Sequence, residues 1–252
     1  QASAGAQPAI DEEANYVIII PGSEFAAAGA PLQQWKERIG YKVRVVTLRT
    51  IYGLYSGDHA ERIHQFLQDR YPPLRWGIRY VLLIGDLDRM PIRMLYPDGG
   101  PNDGSAYASD FYYANLSMTN WDVDGDNRWG EFTHDRLNLD FDAEVAVGRI
   151  PSSDPNVVAA VCNHIVRFEQ DTGAWKRQIL LAHGIMDYGG AGVNTNADMG
   201  NLAERLLSDF FDPFGWQSIT QYETGGLWPS TWTPDQSVSQ TNFENACAPQ
   251  GQ

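Results

Sequence analysis

Apolar runs alternate with helical patterns along the first third of the chain. Residues 15–20, 42–48 and 80–84 are short runs rich in β-branched and aliphatic side chains. Such runs are typical of strands buried on both faces of a parallel sheet. Between them, apolar residues recur at helical spacing, first up to Gly40 and then over residues 59–71. The pattern predicts three parallel strands joined by two helices.

A long segment without periodicity follows. Residues 86–142 are rich in Pro, Gly, Asp, Tyr and Trp, and a stretch of this length without clear elements is usually functional. Order returns with a predicted strand at 143–150 and a helix that Asp154 caps. A further strand, helix and strand are predicted at residues 179–182, 196–211 and 216–222. The fold class is therefore α/β with mainly parallel sheets.

The predicted elements divide the chain into two α/β units. We expect a complete first unit at residues 14–172, with the aperiodic segment inserted in it, and the start of a second unit at residues 173–252. Two strands and one helix cannot cover both faces of a sheet. We therefore expect the second unit to be truncated.

The charge and composition of the chain argue against nucleic acids and membranes as binding partners. The 252 residues include 18 basic and 32 acidic side chains, which gives a net charge of −14. Phosphate-backbone binding needs clustered Lys and Arg, and no apolar run is long enough to span a bilayer. Nucleic acid and membrane insertion are therefore not expected. With only Cys162 and Cys247, a disulfide scaffold is excluded.

The clearest chemistry lies in what we call the acidic loop, residues 121–131. Its carboxylates stand at alternate positions, and alternate Asp side chains in a tight loop converge on one point. Calcium takes six to eight oxygen ligands in such loops. The spacing predicts a calcium site built from Asp122, Asp124, Asp126, Glu131 and the backbone carbonyl of Arg128.

The acidic loop departs from the EF-hand pattern. Asn127 occupies the position that usually needs glycine, and Glu131 comes two residues early, so we expect a free-standing calcium loop. An acidic, solvated turn without metal is the alternative, although closely spaced carboxylates repel one another unless a cation neutralises them. Further ligands could come from Asp110, Asp135, Asp140 and Asp142.

Other candidate residues are weaker. His183 directly follows a predicted strand, and with Cys247 it could form a nucleophilic pair. However, residues 241–248 lack the apolar strand that would direct a nucleophile to a sheet edge, which favours a strand-end histidine and a helical cysteine. Asp86 follows a strand at the sheet edge where α/β folds bind ligands, or it caps a helix or a turn. The segment from Ser109-Asp110 onward could line a substrate groove or form a packed aromatic loop.

Five segments, taken in order, resemble the catalytic region of gingipain-type cysteine peptidases. They are residues 16–21, 32–43, 80–86, 109–116 and 144–151, with the acidic loop between the fourth and the fifth. The resemblance covers about residues 14–245. It implies a caspase-like, three-layer αβα fold with two subdomains, of which the first is mainly a scaffold and the second carries a His/Cys dyad.

The resemblance also implies that no catalytic residue lies in this chain. His183 corresponds to the end of the first strand of the second subdomain, and Cys247 to the helix that precedes the next strand. The dyad would then lie beyond Gln252. We expect part of a secreted or cell-surface endopeptidase that binds calcium and is inactive alone, with the rest of the parent chain and a protein or peptide substrate as partners. The alternative is a non-catalytic, calcium-stabilised binding or surface-assembly module.

Overall fold

The chain forms two compact units, residues 1–170 and residues 171–252. The computed structural model describes residues 13–96, 106–118, 120–135, 140–186, 198–226 and 229–248. Within these described residues, no helix is both long enough and apolar enough to cross a membrane.

A four-stranded parallel sheet forms the centre of the first unit. In spatial order, its strands are β2 (Val43–Thr47), β1 (Tyr16–Ile20), β3 (Tyr80–Ile84) and β6 (Ala146–Ile150). All four coincide with apolar runs that the sequence predicted as strands. Because β1 lies between β2 and β3, the carboxyl ends of the three strands meet at one edge of the sheet.

Helices cover both faces of this sheet. On one face lie α1 (Ala26–Arg38) and α5 (Pro155–Gln170), and on the other lie α2 (Leu48–Tyr52), α3 (His59–Arg70) and α4 (Phe111–Ala114). The result is a three-layer αβα arrangement.

Residues of β1 alternate between the two cores. Val17 and Ile19 pack with α3, whereas Ile18 and Ile20 pack with α1 and α5, and all four are at most 2% exposed. Burying one such side chain contributes about 1.5–3 kcal/mol. Burial on both faces explains why the strand reads as an unbroken apolar run.

The described residues of the inserted segment between β3 and β6 contain little regular structure. Its described part includes a short antiparallel pair, β4 (Arg93–Leu95) with β5 (Tyr107–Ser109), followed by α4. These elements are too short to show a hydrophobic period, so the sequence analysis did not predict them. Tyr113 and Trp121 are buried in the core beneath the insertion, at 0% and 5% exposure.

Arg149 of β6 attaches the insertion to the carboxyl edge of the sheet. Its guanidinium makes a two-bond pair with Asp110, at 2.8 Å from Nε and 2.7 Å from Nη2. It also donates to the carbonyls of Met90 and Pro91 at 2.8 and 3.0 Å. Asp110 therefore holds the scaffold together, which agrees with a packed loop better than with an open groove.

The second unit contains a three-stranded parallel sheet in the order β7 (Gln178–His183), β8 (Gln217–Tyr222) and β9 (Gln236–Ser237). Its described α-helices are α6 (Gly200–Leu206), which continues as a π-helical turn, and α7 (Gln240–Cys247). The predicted helix at 196–211 has its first two residues outside the described part. The small core of the unit is formed by Leu181, Ala203, Leu207 and Tyr222.

Candidate functional site

Asp122 shapes the first half of the acidic loop. Its Oδ1 accepts the backbone N–H groups of Gly125 and Asp126 at 2.9 and 3.0 Å, and its Oδ2 accepts that of Asn127 at 3.0 Å. Gly125 and Asn127 have φ angles of 76° and 68°, in the left-handed region that glycine and asparagine adopt most readily. Asp122 and these two residues therefore bend the loop tightly.

Asp135 closes the loop from outside it. This carboxylate is 0% exposed; its Oδ1 accepts the N–H of Val123 at 2.7 Å, and its Oδ2 accepts that of Glu131 at 2.8 Å. The N–H of Gly130 also donates to the carbonyl of Trp121 at 2.7 Å. One buried side chain thus joins the beginning and the end of the acidic loop.

Acidic side chains converge in two overlapping groups. Asp122, Asp124 and Asp135 form one, and Asp124, Glu131 and His134 form the other; within each, one ligand atom per residue lies within 4.8 Å of the others. Asp124 belongs to both groups. Asp126, which the spacing also predicted as a ligand, belongs to neither, and its Oδ1 accepts the N–H of Arg128 at 2.8 Å.

The two groups differ in how their charge is balanced. Glu131 is 2% exposed and lies 3.1 Å from the Arg128 Nε and 3.2 Å from the His134 Nδ1. In the all-aspartate group, Asp124 lies 3.6 Å from the Nδ1 of His134, which carries a charge only when it is protonated. Converging carboxylates repel one another unless a cation lies between them. The group of Asp122, Asp124 and Asp135 offers only oxygen ligands, which suits calcium because this ion prefers carboxylate and carbonyl ligands.

Asp135 and His134 belong to the converging groups, although the sequence analysis did not predict either as a principal ligand. It named Asp135 only as one of several further ligands, and it gave His134 no role. Both lie in the turn that follows the acidic loop, where the Asp135 N–H donates to the Glu131 carbonyl at 2.8 Å. The turn places the Asp135 carboxylate against the backbone of the loop. Glu131 and Asp135 are four residues apart in the sequence, and this spacing could have indicated that one turn brings them together.

His183 and Cys247, the candidate nucleophilic pair, lie at the ends of two different elements of the second unit. His183 is the last residue of β7 and Cys247 lies exposed at the end of α7; in the described part of the chain the two share no hydrogen bond. Cys162 is buried against the sheet, and burial raises the pKa of its thiol to about 11. A thiol with so high a pKa is a poor nucleophile at neutral pH.

The remaining predicted residues lie at the carboxyl edge of the first sheet. Asp86 begins a turn in which its carbonyl accepts the N–H groups of Arg89 and Met90, at 3.1 and 2.7 Å. Ser109 Oγ accepts the N–H of Phe111 at 3.2 Å. Together with the Asp110–Arg149 pair, these bonds indicate local structural roles.

These features define a caspase-like α/β protein with a three-layer first unit and an acidic insertion. The sequence model of peptidase family C25 matches residues 9–242, and the chain belongs to this family. The resemblance to gingipain-type cysteine peptidases, and the αβα fold that it implied, are therefore confirmed. A comparison with curated proteins finds no significant match.

Two solved structures share the fold. One is a complex of the pro- and mature domains of RgpB from Porphyromonas gingivalis, with 18% identity and a TM-score of 0.54 over 84% of this chain and 42% of that one. The other is the Arg-specific cysteine proteinase gingipain R, with 17% identity and a TM-score of 0.56 over 97% of this chain and 46% of that one. The chain thus spans less than half the length of either structure.

Proposed function

We propose that this chain is the scaffold part of a secreted cysteine endopeptidase whose His/Cys dyad lies beyond residue 252 of the parent polypeptide. The observation that carries the proposal is the family match over residues 9–242. In such enzymes a thiolate attacks the peptide carbonyl, an imidazole transfers the proton, and N–H donors stabilise the oxyanion. The present chain would support that machinery by its first sheet and the packed insertion.

The cysteines of this chain support the same assignment. Cys162 has a raised pKa and no access to solvent, and Cys247 has no hydrogen bond with His183. Among the described residues, neither thiol is hydrogen-bonded to a base of the kind that activates nucleophilic cysteines. The proposal therefore places the nucleophile elsewhere in the parent polypeptide.

We expect the parent polypeptide to cleave a fluorescently labelled casein even when Cys162 and Cys247 are both replaced by alanine. Because neither residue is the proposed nucleophile, the double variant should retain activity, and iodoacetamide should abolish it in both proteins. The measurement is the initial rate of casein cleavage, with circular dichroism to verify folding. Loss of activity in a folded Cys247→Ala variant would contradict the proposal.

We also propose that calcium binds between Asp122, Asp124 and Asp135. Support comes from the convergence of their oxygens within 4.8 Å and from the full burial of the Asp135 carboxylate at that point. The other predicted ligands, Asp126, Glu131 and the Arg128 carbonyl, lie in the same loop and remain candidates for the outer positions. The ion would fix the insertion against the sheet.

Asp124→Asn and Asp126→Asn form a matched pair of variants for this site. Each removes one charge from the same loop, but only Asp124 belongs to the converging groups. We expect Asp124→Asn to weaken calcium binding by about tenfold or more, and Asp126→Asn to weaken it by about twofold at most. Isothermal titration calorimetry gives both affinities. Equal losses of calcium affinity in the two variants would show that the negative charge of the loop attracts the ion and that these three side chains do not form a specific site.

We propose a secreted or cell-surface location because the chain carries the proposed calcium site. Extracellular calcium modules bind the ion with dissociation constants of about 10⁻⁴–10⁻³ M, which cytosolic calcium does not reach. The net charge of −14 and the presence of only two cysteines are compatible with that environment.

A further inference from the structure

A polar cavity lies beside the acidic loop in the first unit. Its volume is about 580 Å³, which is in the range of small-molecule sites. One wall is a face of α3 that carries Glu61, Gln65 and Gln68, and the acidic loop contributes Asp122 to another wall. The polar groups of these two walls decide which ligand the cavity can take.

The two glutamines of α3 present hydrogen-bond acceptors. Gln65 Nε2 donates to Glu61 Oε1 at 3.1 Å, and Gln68 Nε2 donates to the carbonyl of Leu116 at 2.9 Å. Both amide NH₂ groups are thus bonded within the protein, whereas neither amide oxygen accepts a hydrogen bond from a described residue. This wall therefore favours a ligand that donates hydrogen bonds.

His64 adds a buried acceptor to the same wall. It lines the cavity and is 4% exposed. Its Nε2 donates to the carbonyl of Asn115 at 2.9 Å, and burial lowers the pKa of the imidazole, so Nδ1 carries no proton at neutral pH. In the described part of the chain no group donates to Nδ1. A buried acceptor without a donor is costly, so a ligand with N–H groups would stabilise it.

Two carboxylates of the cavity have an unbalanced charge. Asp58 forms a two-bond pair with Arg93, at 2.8 and 2.9 Å, but Glu61 and Asp122 form no ion pair with a described residue. Calcium at the neighbouring aspartates would not balance the loop, because three carboxylates exceed the charge of one ion. An anionic ligand would face these carboxylates without a Lys or Arg in the described lining. A cationic ligand is therefore favoured.

Metal ions and guanidinium groups fit this cavity less well than an alkylammonium. Glu61 and His64 belong to neither of the groups whose ligand atoms converge, so they do not surround one metal ion. A guanidinium pairs with both oxygens of a carboxylate and stacks on aromatic rings. However, Glu61 Oε1 is already bonded, and Arg93 lies 4.7 Å from the ring centroid of Tyr112 and 4.2 Å from that of Trp129. An ammonium needs only separate acceptors.

We propose that this cavity binds a linear aliphatic diamine or polyamine. One ammonium group of such a ligand would pair with Glu61 and donate to Nδ1 of His64, and a second would pair with Asp122 of the acidic loop. The two ammonium groups would thus balance the two carboxylates. The inference uses residues of the first unit alone and does not depend on the proposed peptidase activity.

The probe is cadaverine, a diamine with five methylene groups. Titration by saturation-transfer difference NMR on the calcium-loaded chain should give a dissociation constant of about 10 mM or below. Two controls should bind at least about tenfold more weakly. The first, 1,5-pentanediol, has the same length without charge, and the second, tetramethylammonium, has a charge without N–H donors. No binding of cadaverine, or equal binding of either control, would overturn the proposal.

Two glutamates provide matched variants. Glu61 of α3 accepts from Gln65 at 3.1 Å, and Glu37 of α1 accepts from Gln33 at 2.9 Å, but only Glu61 and Gln65 line the cavity. We expect Glu61→Gln to weaken cadaverine binding by about tenfold or more, whereas Glu37→Gln, which removes the same charge, changes it by about twofold at most. If circular dichroism shows that Glu61→Gln unfolds the chain, Gln65→Met against Gln33→Met tests the amide acceptor, with an expected loss of about threefold. Equal affinities within the pair that folds would place the amine elsewhere and overturn the proposal.

Discussion

Replacing Asp110 by alanine is expected to lower the free energy of unfolding of the first unit by about 3–5 kcal/mol. The Arg149 side chain is 9% exposed, and the substitution would remove both of its bonds to a carboxylate. The guanidinium would stay buried with backbone carbonyls as its acceptors, which do not neutralise its charge. Urea unfolding followed by tryptophan fluorescence measures the loss.

The double variant Asp110→Ala/Arg149→Met is the control for this prediction. It removes the charge together with its partner, so it should be less destabilised than Asp110→Ala alone. The difference between the two variants isolates the cost of an unpaired buried charge. A single variant that unfolds at the same urea concentration as the parent chain would show that the pair is not essential to the scaffold.

Removing calcium is expected to lower the melting temperature by about 5–10 °C. An ion present at one hundred times its dissociation constant contributes about 2.7 kcal/mol to stability, and each kcal/mol corresponds to about 2–4 °C in a chain of this length. The ion would also order the acidic loop, so chelation should let trypsin cut after Arg128, which is partly exposed in the loop. Differential scanning calorimetry and mass spectrometry of the tryptic fragments measure the two effects.

The Asp124→Asn variant is the internal control for chelation. Because a tenfold weaker affinity leaves calcium at about ten times the dissociation constant, the ion still contributes about 1.4 kcal/mol. EGTA should therefore lower the melting temperature of this variant by only about half as much as that of the parent chain. Magnesium, which requires a smaller octahedral site, should not restore the original melting curve. An identical melting curve for the parent chain with calcium and with excess EGTA would leave the loop as an acidic turn held by Asp122 and Asp135.

The centre of the first sheet could be predicted because its strands β1 and β3 are buried on both faces. Runs such as residues 80–84 are apolar at every position, so the pattern marks both the strand and its central place in the sheet. The strand β9, only two residues long and polar, carries no such signal. The same holds for β4 and β5, whose pairing depends on contacts that a local pattern does not contain.

The candidate site was predictable only where its residues are close in sequence. Alternate carboxylates identified Asp122 and Asp124, because loop geometry brings such positions together. Spacing alone could not show that Asp126 accepts the Arg128 N–H and lies outside the converging groups. Nor could it show that Asp135, in the following turn, accepts the N–H of Val123 in the loop. The Asp110–Arg149 pair joins residues 39 positions apart, and the sequence offers no sign of it.

The most direct test of the proposed function is to identify the cysteine that reacts with a peptide-based inhibitor. A peptidyl acyloxymethyl ketone alkylates the nucleophile of a cysteine peptidase, and tryptic mass spectrometry of the labelled parent polypeptide locates the modified residue. The account predicts a single labelled cysteine outside residues 1–252, with Cys162 and Cys247 unmodified. Labelling of Cys247 that disappears when His183 is replaced by alanine would contradict it and assign catalysis to this chain.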